Sequence, residues 1–227
     1  MQGSRGKAII VATMLAMPVG VRAADISGSV DVVSDYRFRG VSLSGHDPAA
    51  QATLHVAQGP VFIEGFVTTL GDGANGATVE TDLSFGVSRK IGKDTATLSA
   101  TWYLYPGSHQ HGVAELIGRY DHLFGRATVS LTAGYSPPQH ALHSDDNLYL
   151  GLSATIPIGR PALFASIGRE RGALAPGGKL DWQFGAQIRL HGFDASLSYV
   201  DCDRTLRDGQ WRRVSNGTVV LQLGHSF

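Results

Sequence analysis

Apolar and polar residues alternate at a strict period of two about twelve times along this chain, and that repetition limits the folds open to it. The first instance is read over 26–38. Ile26, Gly28, Val30, Val32, Ser34, Tyr36 and Phe38 fall on one face, and Ser27, Ser29, Asp31, Val33, Asp35, Arg37 and Arg39 on the other. Side chains alternate across a strand, so one face is greasy and the other charged. Further strands are expected near 50–56, 61–69, 79–88, 95–104, 114–121, 126–135, 147–156, 163–170, 179–190, 193–199 and 219–227. The match is cleanest at Leu180–Leu190 and poorest at 163–170. In 61–69 two residues, Phe62 and Phe66, fall on the polar face. Helical periodicity is absent beyond the first two dozen residues.

Those first residues carry a different signal. Arg5 and Lys7 precede an apolar run from Ala8 to Val21, and Val21-Arg22-Ala23 is a small-residue cleavage pattern. The run is short and broken by Pro18, which fits a cleaved export signal over residues 1–23 better than a spanning helix. The mature chain is then one domain, residues 24–227. Removing Arg5, Lys7 and Arg22 from the 19 basic residues leaves 16 against 19 acidic ones, a balance that argues against nucleic acid as a partner. Cys202 is the single cysteine, so no internal disulfide can form.

The connections between the strands alternate in length. Short ones fall at 58–60, 90–94, 122–125, 157–161 and 191–192, and longer polar ones at 41–48, 71–76, 106–111, 136–146, 172–178 and 202–213. Short turns at one end and long loops at the other are the layout of an outer-membrane barrel. The fold expected is therefore all-β: a transmembrane antiparallel up-and-down β-barrel of about twelve strands. On that reading the apolar-face aromatics gather at two heights, Tyr36, Phe38, Trp102, Tyr135, Trp182 and Tyr199 towards the loops and Phe85, Tyr120, Phe193 and Phe227 towards the turns. Such belts belong to a surface that meets lipid. A soluble sandwich is the alternative, but its apolar face would be crowded with large aliphatics, whereas here Gly, Ala and Thr are frequent.

The inward face carries the candidate functional residues. Asp31, Asp35, Glu64, Glu80, Asp82, Glu115, Asp121, Asp181 and Asp194 are set against Arg37, Arg39, Arg119, Arg126, Lys179 and Arg189. Charges lining a bore tune ion selectivity, and the small acidic excess favours cations. The same charges could instead pair across strands and brace or plug a barrel of this small size.

Other motifs carry less. Gly71–Gly76 matches G-x-G-x-x-G, but a strand follows where a dinucleotide site needs a helix. His109, His111, His140, His143, Asp145 and Asp146 fit no closed tetrahedral metal pattern. No G-x-S-x-G elbow is present, and Ser108 beside His109 is not a triad. No cofactor is expected, and no catalysis. Phe227 at the end of an alternating Val219, Leu221, Leu223 series looks like the signal read by the barrel-assembly machinery.

Val33-Ser-Asp-Tyr-Arg-Phe-Arg-Gly-Val-Ser42, followed by Asp47-Pro-Ala-Ala-Gln51, resembles the opening signature of the TorF family, a proteobacterial group of outer-membrane proteins labelled as porins. Tyr103–Gly107 with Glu115-Leu116, and Tyr199-Val200-Asp201 with the terminal aromatic, resemble its middle and closing motifs. Arg37 stands where that family usually has Val or an aromatic. The resemblance implies an outer-membrane barrel with channel activity, in contact with outer-membrane lipid and lipopolysaccharide and passing small polar solutes or ions. The alternative expectation is a closed barrel with a structural or loop-binding role.

Overall fold

A computed structural model describes residues 23–71, 76–108, 111–207 and 213–227. Residues 1–22 of the expected export signal, the centre of the 71–76 glycine run, and His109 lie outside the described residues.

Twelve antiparallel strands close into a barrel. They are β1 (Asp25–Val33), β4 (Ala49–Gln58), β5 (Val61–Thr69), β6 (Val79–Ile91), β7 (Asp94–Leu104), β8 (Val113–Phe124), β9 (Ala127–Ser136), β10 (Asn147–Pro157), β11 (Pro161–Gly172), β12 (Ala175–Leu190), β13 (Phe193–Cys202) and β14 (Thr218–Ser226). Each pairs with its chain neighbour. The barrel closes where β1 meets β14, from Ser29 opposite Ser226 to Val33 opposite Gln222. Gly28 and Phe227 then exchange two backbone hydrogen bonds of 3.0 Å beyond that ladder. No edge is left to pair with another chain, which is why closure is needed for strands in lipid.

The wall is inverted relative to a soluble protein. Ile26, Val30, Leu98, Phe85, Leu150 and Leu223 are all exposed on the outside, while buried Asp31, Glu80, Glu115, Glu170, Lys179 and Asp181 point within. An apolar exterior over a polar interior is the arrangement of a barrel solvated by lipid. Trp102, Tyr135, Trp182, Tyr199, Phe85, Tyr120 and Phe193 lie on strand positions of the outer face, and Phe227, just past the end of β14, is exposed as well. Phe124 and Phe184 join them there, the former 74 % exposed.

Phe62 and Phe66 keep their strand's phase and so point inward. Phe62 stacks on His55 at 5.1 Å, and lies over Gly86, its direct cross-strand partner. A Cβ on Gly86 would collide with that ring, so the glycine and the inward aromatic accommodate each other.

At the terminal end all connections are tight. Gly59, Gly92, Gly125 and Gly159 hold positive φ there, and the two-residue His191-Gly192 turn has φ of 54° and 84°, the form that matches the twist of the flanking strands. Arg126 belongs to one of these turns and not to the inward wall as its alternation implied. At the other end the connections are long, with one exception. A loop was expected over 172–178, but β12 begins at Ala175, a register shift between Glu170 and Gly172 absorbs the irregularity, and the two strands stand up as a hairpin.

The largest departure from the expected pattern is at the start. β1 ends at Val33, so 34–38 does not continue the wall. The chain turns inward and forms a small hairpin of β2 (Arg37–Phe38) and β3 (Val41–Ser42).

Candidate functional site: the bore and its inward hairpin

Arg39 and Gly40 form the tip of the β2–β3 hairpin, with φ of 49° and 83°. Gly40 is needed twice over. Its φ suits glycine, and a Cβ would lie 2.8 Å from the Asp201 carbonyl oxygen and 2.9 Å from the Cβ atoms of Asp181 and Cys202. The tip is therefore pressed against the wall at β12 and β13.

From that tip Arg39 reaches across the bore. Its Nη2 donates to both carboxylate oxygens of Glu115 on β8 at 2.8 Å, and its Nη1 to Glu170 Oε1 on β11 at 2.8 Å. Tyr103 donates to Glu115 at 2.8 Å, Asn147 to Glu170 at 3.0 Å, and Lys179 Nζ lies 2.9 Å from Glu170 Oε2. Lys179 also donates to the Arg39 carbonyl oxygen at 2.7 Å. The guanidinium packs over the rings of Phe38 and Tyr149, 4.5 and 4.1 Å from their centroids. Gly134 on β9 leaves the space this requires, since a Cβ there would strike Glu115. A planar guanidinium spreads its donors over separate nitrogens and so suits two carboxylates at once, where a lysine has a single nitrogen.

The base of the hairpin has its own anchor. Asp35 accepts from Ser42 Oγ at 2.5 Å and from Arg37 Nε at 2.8 Å, and its Oδ2 lies 3.0 Å from His46 Nδ1. Tyr36 packs against Phe66 inside the bore at 6.0 Å and Phe38 against Tyr103 at 5.7 Å. These two aromatics were expected in the lipid belt. They turn inward because the strand that would have carried them outward ends at Val33. Burial pushes the Tyr36 phenol far above its ordinary range, with Glu80 and Asp82 adding to the effect, and burial does the same to Tyr105 beyond the end of β7.

The predicted inward charges thus separate into groups. Asp35, Arg37 and Arg39 belong to the hairpin, and Glu115 and Asp181 to the wall around its tip. Glu80 and Asp82 sit together on β6, each with one carboxylate oxygen that has no hydrogen-bond partner. Asp31, Glu64, Arg119 and Arg189 lie on the half of the bore nearer the termini. Each has a local partner: Asp31 accepts from Ser29 at 2.7 Å and Gln222 at 3.1 Å, Glu64 faces His55 at 3.0 Å, Arg119 pairs with Asp121 at 2.7 Å and Arg189 with Asp194 at 2.5 Å. Sequence reasoning missed Glu170, Tyr103 and Tyr149. Glu170 stood at the end of the poorest strand, yet Phe164, Ser166, Gly168 and Glu170 share one phase, which is the signal that could have found it.

Below the hairpin the bore is hollow. A cavity of about 330 Å³ is roofed by Asp35, Tyr36, Arg37, Arg39 and Gly40. It shares Gln51, Phe66, Ser196 and Gln222 with a second cavity of about 670 Å³ that extends to Arg160, Arg189 and Ser226 near the terminal end. Across the bore a third cavity of about 340 Å³ lies among His55, Phe62, Glu64 and Thr101.

A closed twelve-stranded wall with an apolar exterior and a polar interior defines a transmembrane β-barrel. Comparison with solved structures agrees on the fold. The chain is similar to the NanC porin, with a TM-score of 0.60 at 13 % identity over 87 % of this chain and 98 % of that one. It is also similar to the KdgM porin, solved in complex with disordered oligogalacturonate, with a TM-score of 0.59 at 5 % identity over 90 % and 98 % of the two chains. No curated protein matches the chain. The chain belongs to the family described as bacterial protein of unknown function (Gcw_chp), whose model matches residues 20–227.

Proposed function

We propose that this protein is an outer-membrane channel that lets small polar solutes or ions diffuse passively through a narrow bore, with the β2–β3 hairpin forming the outer constriction. The supporting observation is the pair of polar-lined cavities that share Gln51, Phe66, Ser196 and Gln222 and run from beneath the hairpin towards the terminal end of a closed barrel. No bond is made or broken in this role. The export signal over residues 1–23, contact with outer-membrane lipid and lipopolysaccharide, recognition of Phe227 by the assembly machinery, and the TorF-family reading of Val33–Ser42 all belong to the same proposal. The lumen-facing Asp31, Glu64, Arg119 and Arg189 would tune passage from the inner half, and Glu80, Asp82, Glu115 and Asp181 from the outer half.

A second reading has its own support: Arg39 ties the hairpin to β8 and β11, across the bore from β1, as a fixed plug would. Single-channel recording in planar bilayers separates the two. Discrete conductance from the folded wild type carries the channel reading, and silence from folded protein sinks it. Removing Arg39 should enlarge the conductance if the hairpin is the constriction.

A further inference from the structure

The two adjoining cavities, which share four lining residues, have an unusual division of labour. Apart from Arg160 at the terminal mouth and Asp181 at the outer end, their charges are spent on the protein itself. Asp35 holds Arg37 at 2.8 Å, Arg39 is held by Glu115 and Glu170, Arg189 by Asp194, and Asp31 by Ser29 and Gln222. Neutral hydrogen-bonding groups are left facing the space. The side chains of Gln187, Ser166 and Ser196 line it and, among the described residues, make no hydrogen bond to the protein. Asp181 borders the outer cavity, but it is 6 % exposed and its unpartnered Oδ2 is buried. Phe66 is common to both cavities and supplies an aromatic surface where they join.

We infer that this compartment is a binding site for uncharged polyhydroxylated solutes of saccharide type. It rests on the channel reading above and names its solute class. A hydroxyl-rich solute exchanges hydrogen bonds with the free amide and hydroxyls, and its C–H face lies on Phe66. An apolar solute would leave those groups unpaired, and desolvated polar groups left without partners are costly. Between Asp181 at the outer end and Arg160 at the terminal mouth a strongly charged solute finds no free counter-charge, because Asp31, Arg37, Arg39 and Arg189 each already have a partner. A few placed polar groups around an aromatic surface are what fix the orientation of a small ligand.

The full barrel reconstituted in liposomes tests this by swelling rates in a neutral disaccharide, its carboxylated analogue and its amino analogue at equal ionic strength. The neutral sugar should enter several-fold faster than either charged one. Added to the planar bilayer from the terminal side, it should also block the ion current. Phe66→Ala and Gln187→Ala should each raise the half-blocking concentration several-fold; the second changes a bore-lining amide of a packed strand's polar face and spares the fold. Faster entry of the anionic or cationic sugar, equal rates for all three, or block unchanged in both variants overturns the saccharide assignment while leaving the channel reading intact. No current and no swelling from folded wild type overturns both.

Discussion

The two halves of the bore are built from similar residue types and do different things with them. Around the hairpin, Arg39, Glu115, Glu170 and Lys179 are almost wholly buried, with side-chain exposures of 9, 2, 3 and 4 %. Nearer the termini, Arg119 and Asp121 are exposed by 47 and 23 % and Arg189 by 66 %. The same guanidinium–carboxylate chemistry therefore acts as a structural lock in one half and as a wet lining in the other. Water decides: a buried pair cannot lose one partner without stranding the other, whereas an exposed pair is screened and easily replaced by solvent.

The sharpest way to break that contrast is Arg39→Ala. It leaves Glu115 without a counter-charge and Glu170 with Lys179 alone, so it should cost about 3–5 kcal/mol of stability and free the hairpin, seen as larger single-channel conductance and a lower denaturant midpoint. An unchanged midpoint and current would mean that the outer network is no lock. Gly40→Ala comes next. It forces a Cβ into the Asp201 carbonyl at a positive φ, a strain of about 1–3 kcal/mol, and should loosen the tip so that the Arg37–Ser42 segment becomes accessible to added protease.

Alkaline titration compares the halves without mutation. The folded-state phenols of Tyr36 and Tyr105 are raised, so folding favours their neutral form. That contribution is complete below the ordinary tyrosine value of about 10 and is lost as pH rises above it. Stability should therefore fall above about pH 10, and Tyr36→Phe should flatten part of the fall. A slope identical in the variant would remove Tyr36 from the account. The smallest effect is expected from Arg119→Ala in the wet half, about 0.2–1 kcal/mol, shrinking further at high salt. A loss comparable to that of Arg39→Ala would erase the distinction.

Much of the wall is legible in the order of the residues. Alternation locates every wall strand and assigns Leu98, Leu150 and Leu223 to the outside and Glu115 and Asp181 to the inside, because a period of two maps directly onto the two faces of a strand. Phe62 and Phe66 look like errors of phase and prove to be inward aromatics, one of them matched to a glycine across the ladder. The 172–178 segment reads as a loop because Gly and Pro weaken strand propensity locally, yet pairing with β11 carries it as strand.

What the chain determined alone is the wall: which residues alternate, which face is oily, and hence that the sheet must close. The hairpin was decided only in three dimensions. Residues 34–38 alternate as well as those before them, so nothing local stops the strand at Val33. The inward turn is held by Glu115 and Glu170, 76 and 131 residues beyond Arg39. Such contacts exist only after closure brings β8 and β11 opposite β1, and a pattern read between near neighbours carries no trace of them.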